Sequence, residues 1–183
     1  ADIWGFVDLN SNREYAIMGY STGTAVYDVT DAQNPREVGF IDGQTTTWRD
    51  IKIYQFWNAT DRRWNAYAYV TADNASDGLF VIDLTQLPHR ISRVNNPSDF
   101  REAHNVYITR TDFSTGLALT DEIKVTIAAQ ACMLLLNRDC RCYPKLYSIL
   151  VYPSTYVAGT HQTIDLRPTD PSVRLGESWH HGA

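Results

Sequence analysis

Along most of the chain, apolar and polar positions alternate over short runs and do not recur at helical spacing. Residues 15–18, 24–29, 66–70, 79–84, 106–109 and 163–166 are rich in β-branched and aromatic side chains. Each run is bounded by Gly, Asn, Asp or Pro, the punctuation that ends strands and starts turns. No window of helical length carries an apolar stripe. Residues 123–136 come nearest, but they place Val125, Thr126 and Ile127 side by side and have no sustained polar face. The pattern predicts an all-β fold.

The runs also repeat. A glycine, an alternating strand ending in Asp, a polar turn with proline and a short apolar return occur three times. They read GTAVYDVTDAQNPREVGF (23–40), GLFVIDLTQLPHRISRV (78–94) and GTHQTIDLRPTDPSVRLGE (159–177). A shorter element precedes them: DIWGFV from Asp2, DIKIYQ from Asp50 and HNVYIT from His104, with HHGA from His180 as a fourth start. Asp2 and Asp50 lie 48 residues apart, and Asn105 follows Asp50 by 55. A unit of about 50 residues with several short strands has the size of one β-propeller blade of four antiparallel strands. The fold expected is therefore a set of propeller-like blades, about 1–49, 50–104 and 105–179, with 180–183 beginning another. Asp28, Asp83 and Asp165 would support equivalent turns, since an Asp side chain accepts from nearby backbone N–H groups. Three blades fall short of the 4 to 8 that usually close a propeller. The count predicts an incomplete propeller, completed by further blades or by other chains.

Composition narrows the function classes. Hydrophobic residues are 44% and charged residues 20%, enough apolar content for a core. Lys and Arg number 16 against 21 Asp and Glu, a net charge of −5. That balance argues against nucleic-acid binding, which needs clustered cations. No apolar run approaches the roughly 20 residues of a membrane-spanning helix. Cys132, Cys140 and Cys142 fall close together without a Cys-x-x-Cys pair, so one disulfide with a leftover thiol and three free thiols both remain open.

The stretches DIWGF, REYAIMGYSTGTAVYDVTDAQNP, WRDIKIY, DGLFVIDLTQL and AHNVYI resemble the choice-of-anchor B proteins, secreted β-propellers of the LVIVD-repeat type. The resemblance covers residues 1–109 and about 156–177, and breaks off over 117–153. It implies a secreted or cell-surface propeller acting as a non-catalytic binding or scaffold module, with a surface protein or carbohydrate as partner.

Candidate chemistry gathers where the inner strands would begin: Asp2, Trp4, Arg49, Asp50, His104, Asn105, His180 and His181. As a ligand-binding set, Asp2, Arg49, Asp50, His104 and Asn105 would line the mouth of a central channel. Calcium would take the oxygens of Asp2, Asp50 and Asn105. A transition metal would prefer His104 with His180 or His181. The alternative function is accordingly a metal-dependent hydrolase or lyase using that polar cluster. Polar groups that merely satisfy one another are the competing structural explanation. No H-E-x-x-H, G-x-S-x-G or phosphate-loop pattern occurs. Asp73, Asn74 and Asp77 lack calcium-loop spacing and suit a turn. Trp57 and Trp64, flanking a turn, suit a hairpin cover.

Overall fold

The computed structural model describes the backbone of residues 2–94, 103–120, 123–134, 140–151 and 162–164, with side chains for 2–94, 103–120 and Val125. Every regular element among these residues is a strand, so the chain is all-β. The strands form three four-stranded antiparallel sheets, each built from strands consecutive in sequence. The first contains β1 (Ile3–Val7), β2 (Glu14–Tyr20), β3 (Gly23–Asp28) and β4 (Arg36–Asp42). The second contains β5 (Ile51–Asn58), β6 (Arg63–Thr71), β7 (Leu79–Asp83) and β8 (Ser92–Val94). The third contains β9 (Ala103–Ile108), β10 (Ile123–Leu134), β11 (Cys140–Val151) and β12 (Gln162–Ile164).

Burial explains the sequence pattern of each sheet. On β2, Tyr15, Ile17 and Gly19 are buried while Glu14 and Tyr20 are exposed, the period of two expected of a strand with one covered face. On β6, residues 65–71 are all buried, because sheet two is covered on both faces. Its Ile51, Ile53, Ala68 and Ile82 pack with Phe6, Tyr15, Ile17 and Val26 of sheet one. Its opposite face, with Tyr54, Phe56, Tyr69 and Val81, packs with Ala103, Val106, Ile108 and Val125 of sheet three. Sheet two is therefore the middle layer. Strand β1 lies against β5, and β5 against β9, so the first strand of every sheet joins one continuous seam.

The turns follow the repeat. Asp28 Oδ1 accepts from the Thr30 amide at 3.1 Å, and Asp83 Oδ1 accepts from the Thr85 amide at 2.8 Å, the same two-residue clasp in two sheets. Asp165 lies outside the described residues. Trp57 and Trp64 are register partners at the end of the β5–β6 hairpin, with ring centroids 5.4 Å apart. The stretch nearest to a helix in pattern is strand β10, whose β-branched cluster suits the sheet.

Candidate functional site

The seam of first strands carries a polar knot. Asp50, just before β5, is buried and uses both carboxylate oxygens. Oδ1 accepts from the Ile51 amide at 2.9 Å and from Lys52 Nζ at 2.6 Å. Oδ2 accepts from the Val106 amide at 2.9 Å and from Asn105 Nδ2 at 3.3 Å. One carboxylate thus fastens the start of β5 to β9. Thr71 extends the link, accepting from the Asp50 amide at 3.3 Å and donating to the His104 carbonyl at 3.0 Å.

Asp2 adjoins this knot from sheet one. Its carbonyl accepts from the Gly19 amide at 2.9 Å, which fixes the start of β1. Partial burial pushes the Asp2 carboxyl above its ordinary range, and the hydrogen bond to the Asp50 carboxylate adds to the rise. Burial alone would raise Asp50 as well. Hydrogen bonds from Lys52 and the Val106 amide, with the Lys52 charge, outweigh burial and hold it below its usual range. The two carboxyls are driven apart, so Asp2 is the one that retains a proton longer. Lys52 Nζ sits 4.2 Å from the centroid of the Trp4 ring, which caps the cluster.

Asp2, Asp50 and Asn105 therefore come together, as their positions in the repeat imply. Arg49 does not join them. It points to the opposite side of the strand, 1% exposed, where Nε donates to the Tyr20 carbonyl at 2.9 Å and Nη2 donates to the Gln44 carbonyl. Its Nη2 is 3.9 Å from Asp77, whose other oxygen accepts from Arg93 at 2.9 Å. Arg49 is an interior brace between sheets one and two. His104 also turns away from Asp50. Its side chain is 54% exposed, with Nδ1 3.2 Å from Asp73 Oδ2 and the ring stacked near Trp48 at 6.2 Å. His180 and His181 lie outside the described residues.

Lys52 and Thr71 are the members that the sequence pattern did not single out, and Asp73 is marked there as a turn residue and not as a partner of His104. Lys52 had a signal: it stands two residues after Asp50 on a strand, so both side chains share a face. Asp73 lies on the β6–β7 connection, and only folding brings it to His104. Asp50 is not an open cation ligand, because protein donors already occupy both of its oxygens. Among the described residues, no three His, Cys, Asp or Glu side chains converge where they could hold a metal ion.

Comparison with known proteins adds what geometry does not. The pattern of the family described as glucose-regulated metallo-peptidase M90 matches residues 80–183. An uncharacterized protein of Synechocystis sp., slr2042, is 43% identical over 63 residues, which is 33% of this chain and 23% of that protein. The matched part thus spans about a quarter of the length of that curated relative. No solved structure matches.

The family match corrects two expectations. The resemblance to choice-of-anchor B and LVIVD-repeat proteins is overturned, and the non-catalytic binding or scaffold role goes with it. The physical reason lies in what the shared motifs encode. A glycine, a β-branched strand, a terminal Asp and a Thr two residues later are the requirements of a strand ending in an Asx turn, as Asp28 and Asp83 show. Such motifs report turn chemistry more strongly than kinship. The match also takes in residues 117–153, where the resemblance broke off.

Proposed function

The chain belongs to the glucose-regulated metallo-peptidase M90 family, and from that membership we propose that the protein is a metal-dependent hydrolase acting on peptide bonds. The observation that carries this reading is the match over residues 80–183, more than half of the chain. The matched span includes His104, His180 and His181 and excludes Asp2, Arg49 and Asp50. The described residues do not by themselves supply a metal's donor set.

His104 is the described side chain best suited to contribute. Its Nδ1 faces the Asp73 carboxylate at 3.2 Å, and its side chain is half exposed. Metal-ligating histidines commonly pair one ring nitrogen with a carboxylate, which fixes the tautomer and leaves the other nitrogen to ligate. His180 and His181 are the partners proposed for it. The Asp2–Asp50–Lys52 knot is then a structural lock that sets the start of β9, and His104 with it. For the architecture, the three consecutive sheets with their shared seam of first strands support blades of an incomplete β-propeller.

The test is metal content by mass spectrometry together with cleavage of an unstructured peptide, each with and without chelator. Bound zinc near one equivalent, chelator-sensitive cleavage and loss of both in His104→Ala are expected. Asp73→Asn should weaken metal binding by about 10- to 100-fold, the usual effect of removing such a carboxylate. Metal-free protein whose cleavage ignores chelator would overturn the proposal.

A further inference from the structure

Trp48 and Asp73 meet at one imidazole. The Trp48 indole stacks near the His104 ring, with 6.2 Å between centroids and 19° between planes, and Asp73 Oδ2 lies 3.2 Å from His104 Nδ1. Local bonding fixes the backbone that carries them. The Asp73 amide donates to the Trp48 carbonyl at 3.1 Å, and the Trp48 amide donates to Thr46 Oγ1 at 3.3 Å. The hydroxyl of Thr46, a buried residue, donates in turn to the Asp73 carbonyl. The Ala103 amide, next to His104, donates to the Ala72 carbonyl at 3.3 Å, so β9 is tied to the same connection. Segments 46–48, 72–73 and 103–104 are thus joined before anything binds, which lowers the ordering cost of recognition.

Two features of this cluster are open to solvent. Trp48 is 38% exposed, a large aromatic surface that the fold does not cover. Asp73 keeps 20% of its side chain exposed, and its contacts with His104 and with Asn74 Nδ2 both fall on Oδ2. Its Oδ1 accepts no hydrogen bond from the described residues. The cations nearest in sequence are committed elsewhere: Arg49 to the Tyr20 and Gln44 carbonyls, and Lys52 to Asp50. An exposed indole and an open carboxylate oxygen on one imidazole suit a guanidinium or an ammonium group. Trp has the strongest cation–π face, and a carboxylate oxygen accepts a charged N–H more strongly than a neutral one. An apolar side chain would use the indole alone.

We propose that Trp48 and Asp73 form a specificity subsite for a cationic side chain of a bound peptide, arginine above lysine. Arginine is preferred because its planar guanidinium stacks on an aromatic face while an N–H at its edge reaches the carboxylate. Asp73 then serves two partners through its two oxygens, His104 through Oδ2 and the ligand through Oδ1. The inference rests on the peptidase reading for the chain that carries the cation. The recognition itself needs neither metal nor cleavage.

Calorimetric titration of chelator-treated protein reads the subsite without activity. The probes are a pentapeptide capped at both ends with arginine at its centre, and versions with lysine, norleucine, phenylalanine or glutamate there. The arginine peptide should bind about 10-fold tighter than the norleucine peptide, and tighter than the phenylalanine peptide. Trp48→Ala and Asp73→Asn should each bring arginine and norleucine to within about twofold, with unchanged far-ultraviolet circular dichroism, while Trp48→Phe keeps part of the preference. If Trp48→Ala loses its strand signal, Trp48→Leu replaces it with the same expected outcome. Equal binding of arginine and norleucine, tighter binding of phenylalanine, or no measurable binding by any of the peptides overturns the proposal. Free arginine amide binding as tightly as the peptide overturns a peptide as the source of the cation. Cleavage of the same peptides with metal restored separates the two readings. Chelator-sensitive cleavage that ignores the central residue overturns the subsite and leaves the peptidase standing. Arginine-selective binding without cleavage overturns the peptidase and leaves the subsite.

Discussion

The side-chain amide of Gln55 donates to the carbonyl of Val7 at 2.8 Å, joining the inner strand of sheet two to that of sheet one. The same amide donates to the Thr115 carbonyl, and its oxygen accepts from the Leu9 amide at 3.2 Å. The Gln55 backbone adds a short parallel bridge to the 116–118 segment, with bonds of 2.7 and 2.8 Å. One fully buried side chain thus serves β1, β5 and the loop after β9.

Gln55→Leu keeps the volume and strands those partners. Each buried polar group left without a partner costs about 1 to 3 kcal/mol. The variant is expected to lose about 3 kcal/mol in urea unfolding with an unchanged m-value. A loss under 0.5 kcal/mol would mean that water replaces the amide there.

Asp50 and Asp2 should respond to pH in opposite ways. The folded-state pKa of Asp50 is depressed, so its contribution is present above the ordinary carboxylate range and is lost as pH falls below about 4. Asp50→Asn turns a donor toward Lys52 or Val106 and should cost about 2 kcal/mol at pH 7. That cost should shrink as pH falls below the ordinary carboxylate range, because the unfolded parent then takes up a proton that the folded carboxylate resists. Asp2 is raised, so its ionisation opposes folding as pH climbs through the shifted value. Asp2→Asn should melt higher than the parent at pH 7 and equal to it at pH 3. Thermal melts at the two pH values decide both cases.

Arg49 is a brace whose loss leaves acceptors behind. Arg49→Met fills much of the space but abandons the carbonyls of Tyr20 and Gln44 and removes a cation from beside Asp77. Removing one member of a buried charged pair costs about 3 to 5 kcal/mol. Arg93 still neutralises Asp77, so the lower end is expected. Arg49→Lys should not rescue, because a lysine cannot reach both carbonyls with one planar fork. Chemical denaturation of the two variants measures this.

Strand content and repeat were legible because both are local. Alternation marked β2, β3, β7 and β9, and Asp2 and Asp50, each just before the first strand of its sheet, marked the seam where they meet Asn105 of β9. Arg49 and His104 were legible as residues but not in role, since each turns to a partner fixed by a different loop. Asp77 and Asp73 sit on the β6–β7 connection, and no spacing along the chain links them to Arg49 or His104. The family was illegible for another reason. The motifs that looked diagnostic are those that any meander of short strands and Asx turns requires.

Gly116 offers the most local test of the seam. Its φ is +71°, a conformation that glycine adopts without penalty and side-chain-bearing residues rarely do. It also lies against β5, where an added Cβ would stand 2.8 Å from the Ile53 carbonyl oxygen and 3.0 Å from its carbonyl carbon. Backbone atoms of a buried strand cannot move aside as a flexible side chain could. Gly116→Ala therefore combines a strained φ with a clash, and both push the 112–118 loop off β5. The bonds most exposed to that movement are Gln55 N–H to Gly116 O at 2.7 Å and Ala118 N–H to Gln55 O at 2.8 Å. A loss of about 2 kcal/mol or more is expected, since incompatible substitutions at positive φ exceed the usual 1 kcal/mol glycine effect. Hydrogen exchange at the Gln55 and Ala118 amides should accelerate, while Ile17 and Val26 in sheet one keep their protection. Unchanged exchange at Gln55 and Ala118 would show that the loop does not clasp β5 as described.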